Sequence, residues 1–76
     1  MANPEIIERV KQLHTELKDD PTKQDVTKQL EVVLLEPDHA PHYKTLRDQL
    51  LALETDHPRL AGAIQRLVDS LSSAGL

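Results

Sequence analysis

The side chains best suited to chemistry in this 76-residue chain are its four histidines and the acids beside them. His39 and His42 frame the segment DHAPH with Asp38 adjacent, a set of zinc-ligand types at close spacing. Prolines 37 and 41 hold this stretch extended, no cysteine is present, and further ligands must come from elsewhere, so a solvated loop is the favoured reading. Glu54-Thr55-Asp56-His57 spells Glu-x-x-His, the pair that di-iron helical bundles place on two helices. It occurs once, and its histidine precedes Pro58 at a helix end. The structural alternative is stronger: Asp56 sets negative charge at the start of the following helix, and His57 covers the turn. His14, in LHTEL, sits beside an apolar seam and reads as a boundary residue, not a general base. Serines 70, 72 and 73 lack a partnered base, and the only glycines, Gly62 and Gly75, make no phosphate loop. The expectation is therefore a non-enzymatic protein with no catalytic residue, resident metal or cofactor. The alternative is a small metal- or ligand-binding bundle using His14, Glu54 and His57.

The elements that position these residues are all helical. Asn3, Pro4 and Glu5 supply a cap, a first-turn proline and a first-turn acid, and Ile6, Val10, Leu13 and Leu17 follow at steps of four, three and four. Glu5 and Arg9 form an i,i+4 pair on the wet side. Asp20 and Pro21 repeat the start signal, and the short turn implies an antiparallel hairpin. The second helix has Val26 and Leu30 as early anchors and then turns apolar from Val32 to Leu35. Pro37 ends it, and EPDHAPHY reads as the one clear loop. Tyr43, Leu46, Leu50 and Leu53 give the third stripe, which stops by Asp56 because Pro58 disfavours helical geometry at His57. The last stripe is Leu60, Ile64, Leu67 and Leu71, closed by Gly75 as a left-handed cap with Leu76 folding back on Leu71. Gly62 costs about 1 kcal/mol relative to alanine inside that helix, so a close helix approach is expected there. The spacing predicts one all-α domain over 1–76, with four antiparallel helices in two hairpins at about 4–18, 21–36, 42–56 and 58–74.

Composition bounds the function. Thirteen leucines with a few Ile and Val must build the core, since there is no Phe or Trp and one Tyr. Net charge of −4 argues against a phosphate-backbone partner, so nucleic acid is not expected. The apolar runs are too short to span a bilayer and the start, MANPEIIERV, lacks the basic and long apolar segments of a leader, so no membrane partner is expected. Together with the lack of cysteine, this suggests the cytoplasm.

A run of four apolar neighbours covers an arc of about 300° at helical spacing, which no single core-facing stripe hides. Val32, Leu35, Leu51, Ala61 and Val68 are accordingly the expected interface of a homodimer, on the premise that one short copy cannot bury all its apolar side chains. An unidentified protein partner is the alternative occupant.

The chain also resembles a family of small uncharacterised helical bacterial proteins, a domain of unknown function. The resemblance rests on Leu13, His14, Glu16 and Leu17, on Glu54, His57, Pro58 and Leu60, and on Asp69, Leu71 and Gly75. Members often carry an aromatic before the acidic position where this chain has Leu53. The resemblance implies an all-helical fold and no activity, and it makes His14 and His57 both motif positions, which implies that they meet across the bundle.

Overall fold

The computed structural model describes residues 3–76, so residues 1 and 2, which open the segment read above for a leader and begin the expected domain, lie outside the description. Asn3 takes extended backbone angles, and its side-chain oxygen accepts from the amides of Glu5 and Ile6 at 2.9 and 3.4 Å, starting α1 at Pro4–Leu17. Ile6, Val10, Leu13 and Leu17 are buried, and the Arg9 guanidinium reaches Glu5 at 3.1 Å on the wet side. Asp20 accepts from the Thr22 amide at 2.9 Å and the Thr22 hydroxyl at 2.6 Å. Those two bonds hold the Asp20 carboxyl below its ordinary pKa. The second helix therefore begins as expected, but through a 3-10 turn, Pro21–Lys23, before α2 runs over Gln24–Leu35. The Thr27 hydroxyl braces this turn, donating to the Lys23 carbonyl at 2.9 Å and reaching that of Leu17 at 3.5 Å.

The expected loop is shorter than its sequence suggested. α3 spans Ala40–Asp56, starting two residues before the anticipated 42. Pro41 falls in the first turn, where its missing N–H costs no hydrogen bond. His57 then leaves helical geometry ahead of Pro58, as the proline requires. Another 3-10 turn, Pro58–Leu60, leads into α4 at Ala61–Ser73. Both 3-10 turns begin with a proline, and the third residue's amide bonds back three positions, Lys23 to Asp20 at 3.1 Å and Leu60 to His57 at 3.0 Å.

α1 packs on α2, α2 on α3, α3 on α4, and α4 returns to α1, an up-and-down four-helix bundle in which every helix has two principal neighbours. Fifteen buried side chains form one core; Leu30, Leu46, Leu50, Ile64, Leu67 and Leu71 are fully enclosed. The radius of gyration, 11.1 Å, matches the about 11.4 Å expected of a compact 76-residue chain. The accessible surface of 4863 Å² is close to the about 4,700 Å² typical of a monomer of this mass. The total surface is thus that of an ordinary monomer, and the large apolar side chains that a single copy leaves exposed are Leu35, at 81%, and Leu51, at 46%.

The two glycines behave oppositely. Gly75 has φ +78° and caps α4, the Leu76 amide bonding the Leu71 carbonyl at 2.8 Å and the Gly75 amide that of Ser72 at 3.1 Å, while Leu76 packs against the core. Gly62 contradicts the expected close approach: it is exposed, and nothing lies within 4 Å of where a Cβ would project. Gly62→Ala is therefore expected to stabilise the fold by about 0.5–1 kcal/mol, and Gly75→Ala to destabilise it by about 1–2 kcal/mol because of its left-handed backbone. Urea titrations of the two variants beside the parent chain check both signs.

Candidate functional site

At the α2–α3 turn the two loop histidines meet. Their ring centroids are 4.2 Å apart with planes tilted by 51°, and His42 Nε2 lies 3.2 Å from Glu36 Oε1. Helical spacing from His39 as cap to His42 in the first turn brings the rings together. Gln29 of α2 donates to the His42 carbonyl at 3.0 Å, tying the turn down. The buried Tyr43 side chain donates its hydroxyl to the Pro37 carbonyl. Burial, reinforced by the negative charge of Asp38, pushes the Tyr43 phenol above its usual pKa.

The motif residues do not assemble. His14 lies on the flank of α1 that turns toward α2, where its Nε2 is 3.5 Å from Glu31 Oε1. That atom is shielded from solvent but makes no hydrogen bond, so the pair is close enough for charge attraction without the alignment of a bond. Half-buried Glu54 lies on the last turns of α3 and His57 follows its end, where the His57 amide bonds the Leu53 carbonyl at 2.9 Å. His57 is also a lesser influence lowering the Asp20 pKa, behind the two Thr22 bonds. His14 thus faces α2, and His57 stands at the end of α3. Among the described residues no group of three or more His, Cys, Asp or Glu side chains is arranged to hold a metal. The ligand set His14, Glu54 and His57 has no assembled geometry.

The five expected interface positions divide. Val68 is 6% exposed and belongs to the chain's own core, because α4 presents the broad stripe Ile64, Leu67, Val68 and Leu71 inward. It is withdrawn from the interface. Val32 and Ala61 are half-buried, whereas Leu51 is 46% and Leu35 81% exposed. On α2, Gln29 reaches α3 and Glu31 meets α1, so Val32 shares the α3 flank while Leu34 shares the α1 flank and Leu35 points directly away from the core. On α3, Gln49 and Ala52 line a cleft with Val26 of α2, which puts Leu51 on the opposite flank, toward α4. Leu35 and Leu51 therefore occupy different faces of the bundle, and no one patch holds the whole set.

A shallow, mostly apolar dimple of about 410 Å³ is lined by His14, Glu31, Leu34 and Leu35. The sequence reading did not single out Glu31 or Leu34. Their signal was the stripe Ile7, Lys11, His14 and Lys18, which repeats the four-three-four rhythm of the buried stripe one residue later and marks a second, half-wet seam facing α2.

An up-and-down bundle of four helices defines a small all-α domain. Its family model, covering residues 6–76, is that of a domain of unknown function, DUF4404, and the chain belongs to that family. No curated protein and no solved structure matches it. Among the described residues, no helix is long and apolar enough to cross a membrane.

Proposed function

We propose that this protein is a non-enzymatic interaction module that self-associates through its α1–α2 face. The observation that carries this reading is Leu35, 81% exposed on the outward side of α2 and continuous with half-buried Leu34 at the rim of the dimple beside His14. A leucine alone at the surface is ordinary, but one that extends an apolar concavity supplies both a knob and a hole. A twofold pairing uses the same patch on each copy, so knob and hole on one face can complement themselves. Leu51, on another face, is not part of this contact. The interaction role, the bacterial and cytoplasmic setting and the lack of catalysis form one proposal, supported by the cysteine-free acidic composition and by a buried core without a polar or charged side chain among the described residues.

Because the core closes within one copy, association is expected to be reversible. Light scattering from micromolar to high micromolar concentration should move from 8.6 kDa toward twice that mass, and Leu35→Glu should hold the chain at 8.6 kDa while leaving its helical circular dichroism intact. A parent chain that stays at 8.6 kDa throughout overturns the proposal.

A further inference from the structure

We infer that the turn between α2 and α3 is a binding site for a divalent metal ion of the zinc, copper and nickel group, with His39 and His42 as its two protein ligands. Prolines 37 and 41 do not hold DHAPH extended, as its sequence suggested: α3 starts at Ala40, so His39 is its N-cap and His42 lies in its first turn. The two rings therefore stand 4.2 Å apart, centroid to centroid, with their planes tilted by 51°. Two imidazoles bonded to one ion at about 2.0–2.1 Å, in neighbouring coordination positions, have their centroids about 4.5–5 Å apart. The pair is thus close to the spacing of a chelate before any ion arrives, and rotation of the exposed His39 side chain supplies the remainder.

The surroundings of His42 suit it to the role. Its Nε2 lies 3.2 Å from Glu36 Oε1, and an ionised carboxylate only accepts, so in the neutral ring Nε2 carries the proton and Nδ1 keeps the lone pair that binds a metal. A carboxylate behind a ligating histidine fixes its tautomer and strengthens the opposite nitrogen as a donor. The backbone under the ring is held too, since Gln29 of α2 donates to the His42 carbonyl at 3.0 Å and the neighbouring Tyr43 hydroxyl holds the Pro37 carbonyl. His42 is half-buried and His39 exposed, so an ion reaches the pair without opening the core. Imidazole nitrogens suit zinc, copper and nickel, whereas calcium and magnesium call for oxygen ligands. Among the described residues no group of three such side chains completes a metal cage, so the site is an open one, with water or an outside donor in the remaining positions. The other two histidines offer no comparable pair: His14 meets Glu31 and His57 stands at the end of α3.

Calorimetric titration of the full chain with zinc chloride in a buffer that does not chelate is the test, and one ion per chain is the expected uptake. An outer partner of a metal ligand is typically worth about 10–100-fold in affinity, so Glu36→Gln should weaken binding by about tenfold, and loss of a ligand in His39→Ala or His42→Ala by more. His57→Gln should bind zinc as the parent chain does, and magnesium chloride should give no binding heat. Nuclear magnetic resonance of the parent chain provides a readout that does not depend on any variant folding: zinc should shift the imidazole signals of His39 and His42 and leave those of His14 and His57 in place. A parent chain that takes up no stoichiometric zinc, zinc-induced shifts confined to His14 or His57, or binding that survives in both the His39 and His42 variants overturns the inference. Self-association is measured separately, by mass, and stands or falls without it.

Discussion

Replacing Leu30 or Leu67 by alanine is expected to lower the unfolding free energy by about 2–5 kcal/mol. Both side chains are fully enclosed, one from α2 and one from α4, in a core that every helix shares. Truncation removes apolar contacts and leaves a void that aliphatic neighbours fill only in part. A domain of this length has a total stability of about 4–11 kcal/mol, so a single such cavity removes a large fraction of it. The informative comparison is Leu35→Ala, on the same helix as Leu30 but 81% exposed, which at dilute concentration should change stability by less than about 0.5 kcal/mol. Urea unfolding monitored by circular dichroism measures all three. A Leu35→Ala loss as large as that of Leu30→Ala would mean that α2 is turned the other way, and with it the face proposed for association.

That contrast also shows where the sequence was legible. The three-four stripes identified most of the buried positions, though not Val33 or Val68 and with half-buried Leu60 counted in, because a core-facing helix has one period and one requirement, removal from water. Asn3, Asp20 and Gly75 were equally readable, since each cap follows from local hydrogen-bond chemistry or backbone freedom. The run Val32 to Leu35 was harder. Helical spacing says that it cannot all be buried, and indeed Val33 is enclosed, Val32 and Leu34 are half-covered and Leu35 is out. What the run does not encode is how much neighbouring helices cover its flanks, a property of packing between elements far apart in sequence. The same gap explains Val68, whose burial depends on how widely α4 faces the core, and Gly62, whose surroundings are set by helices that leave it open. The 3-10 starts and the early beginning of α3 follow from local proline geometry, yet the choice between an extended and a helical first turn was settled by the turn's own bonds, including that from Gln29. His14 was correctly seen as a boundary residue. Its partner, Glu31, was not legible because the register between α1 and α2 is fixed by the turn between them.

Tyr43 concentrates several of these effects, and Tyr43→Ala is expected to cost about 3–5 kcal/mol. It is the chain's single aromatic of the Phe, Trp and Tyr class, almost fully buried at the start of α3, and its hydroxyl holds the Pro37 carbonyl in the turn from α2. Tyr43→Phe separates the ring from the hydroxyl: the ring's packing stays, the Pro37 carbonyl loses its donor, and the cost should fall to about 0.5–1.5 kcal/mol at neutral pH. The pH dependence gives a second measurement of the same contact. Burial and then the charge of Asp38 raise the folded-state phenol above its ordinary value, so the neutral form is the one the fold favours. Below about pH 10 the phenol is neutral in both states and its contribution is fully present. As pH rises past the unfolded value, the unfolded chain ionises while the folded one resists, and stability falls until the folded phenol ionises at its higher value. The stability difference between the parent chain and Tyr43→Phe should therefore shrink as pH rises through that window, a comparison in which titration of the lysines largely cancels. Because no other tyrosine is present, the ultraviolet absorbance of phenolate reports this one group, and it should appear at higher pH in the folded chain than in urea. A phenolate signal at the same pH in both would place Tyr43 in water and remove the tie between α3 and the turn that precedes it.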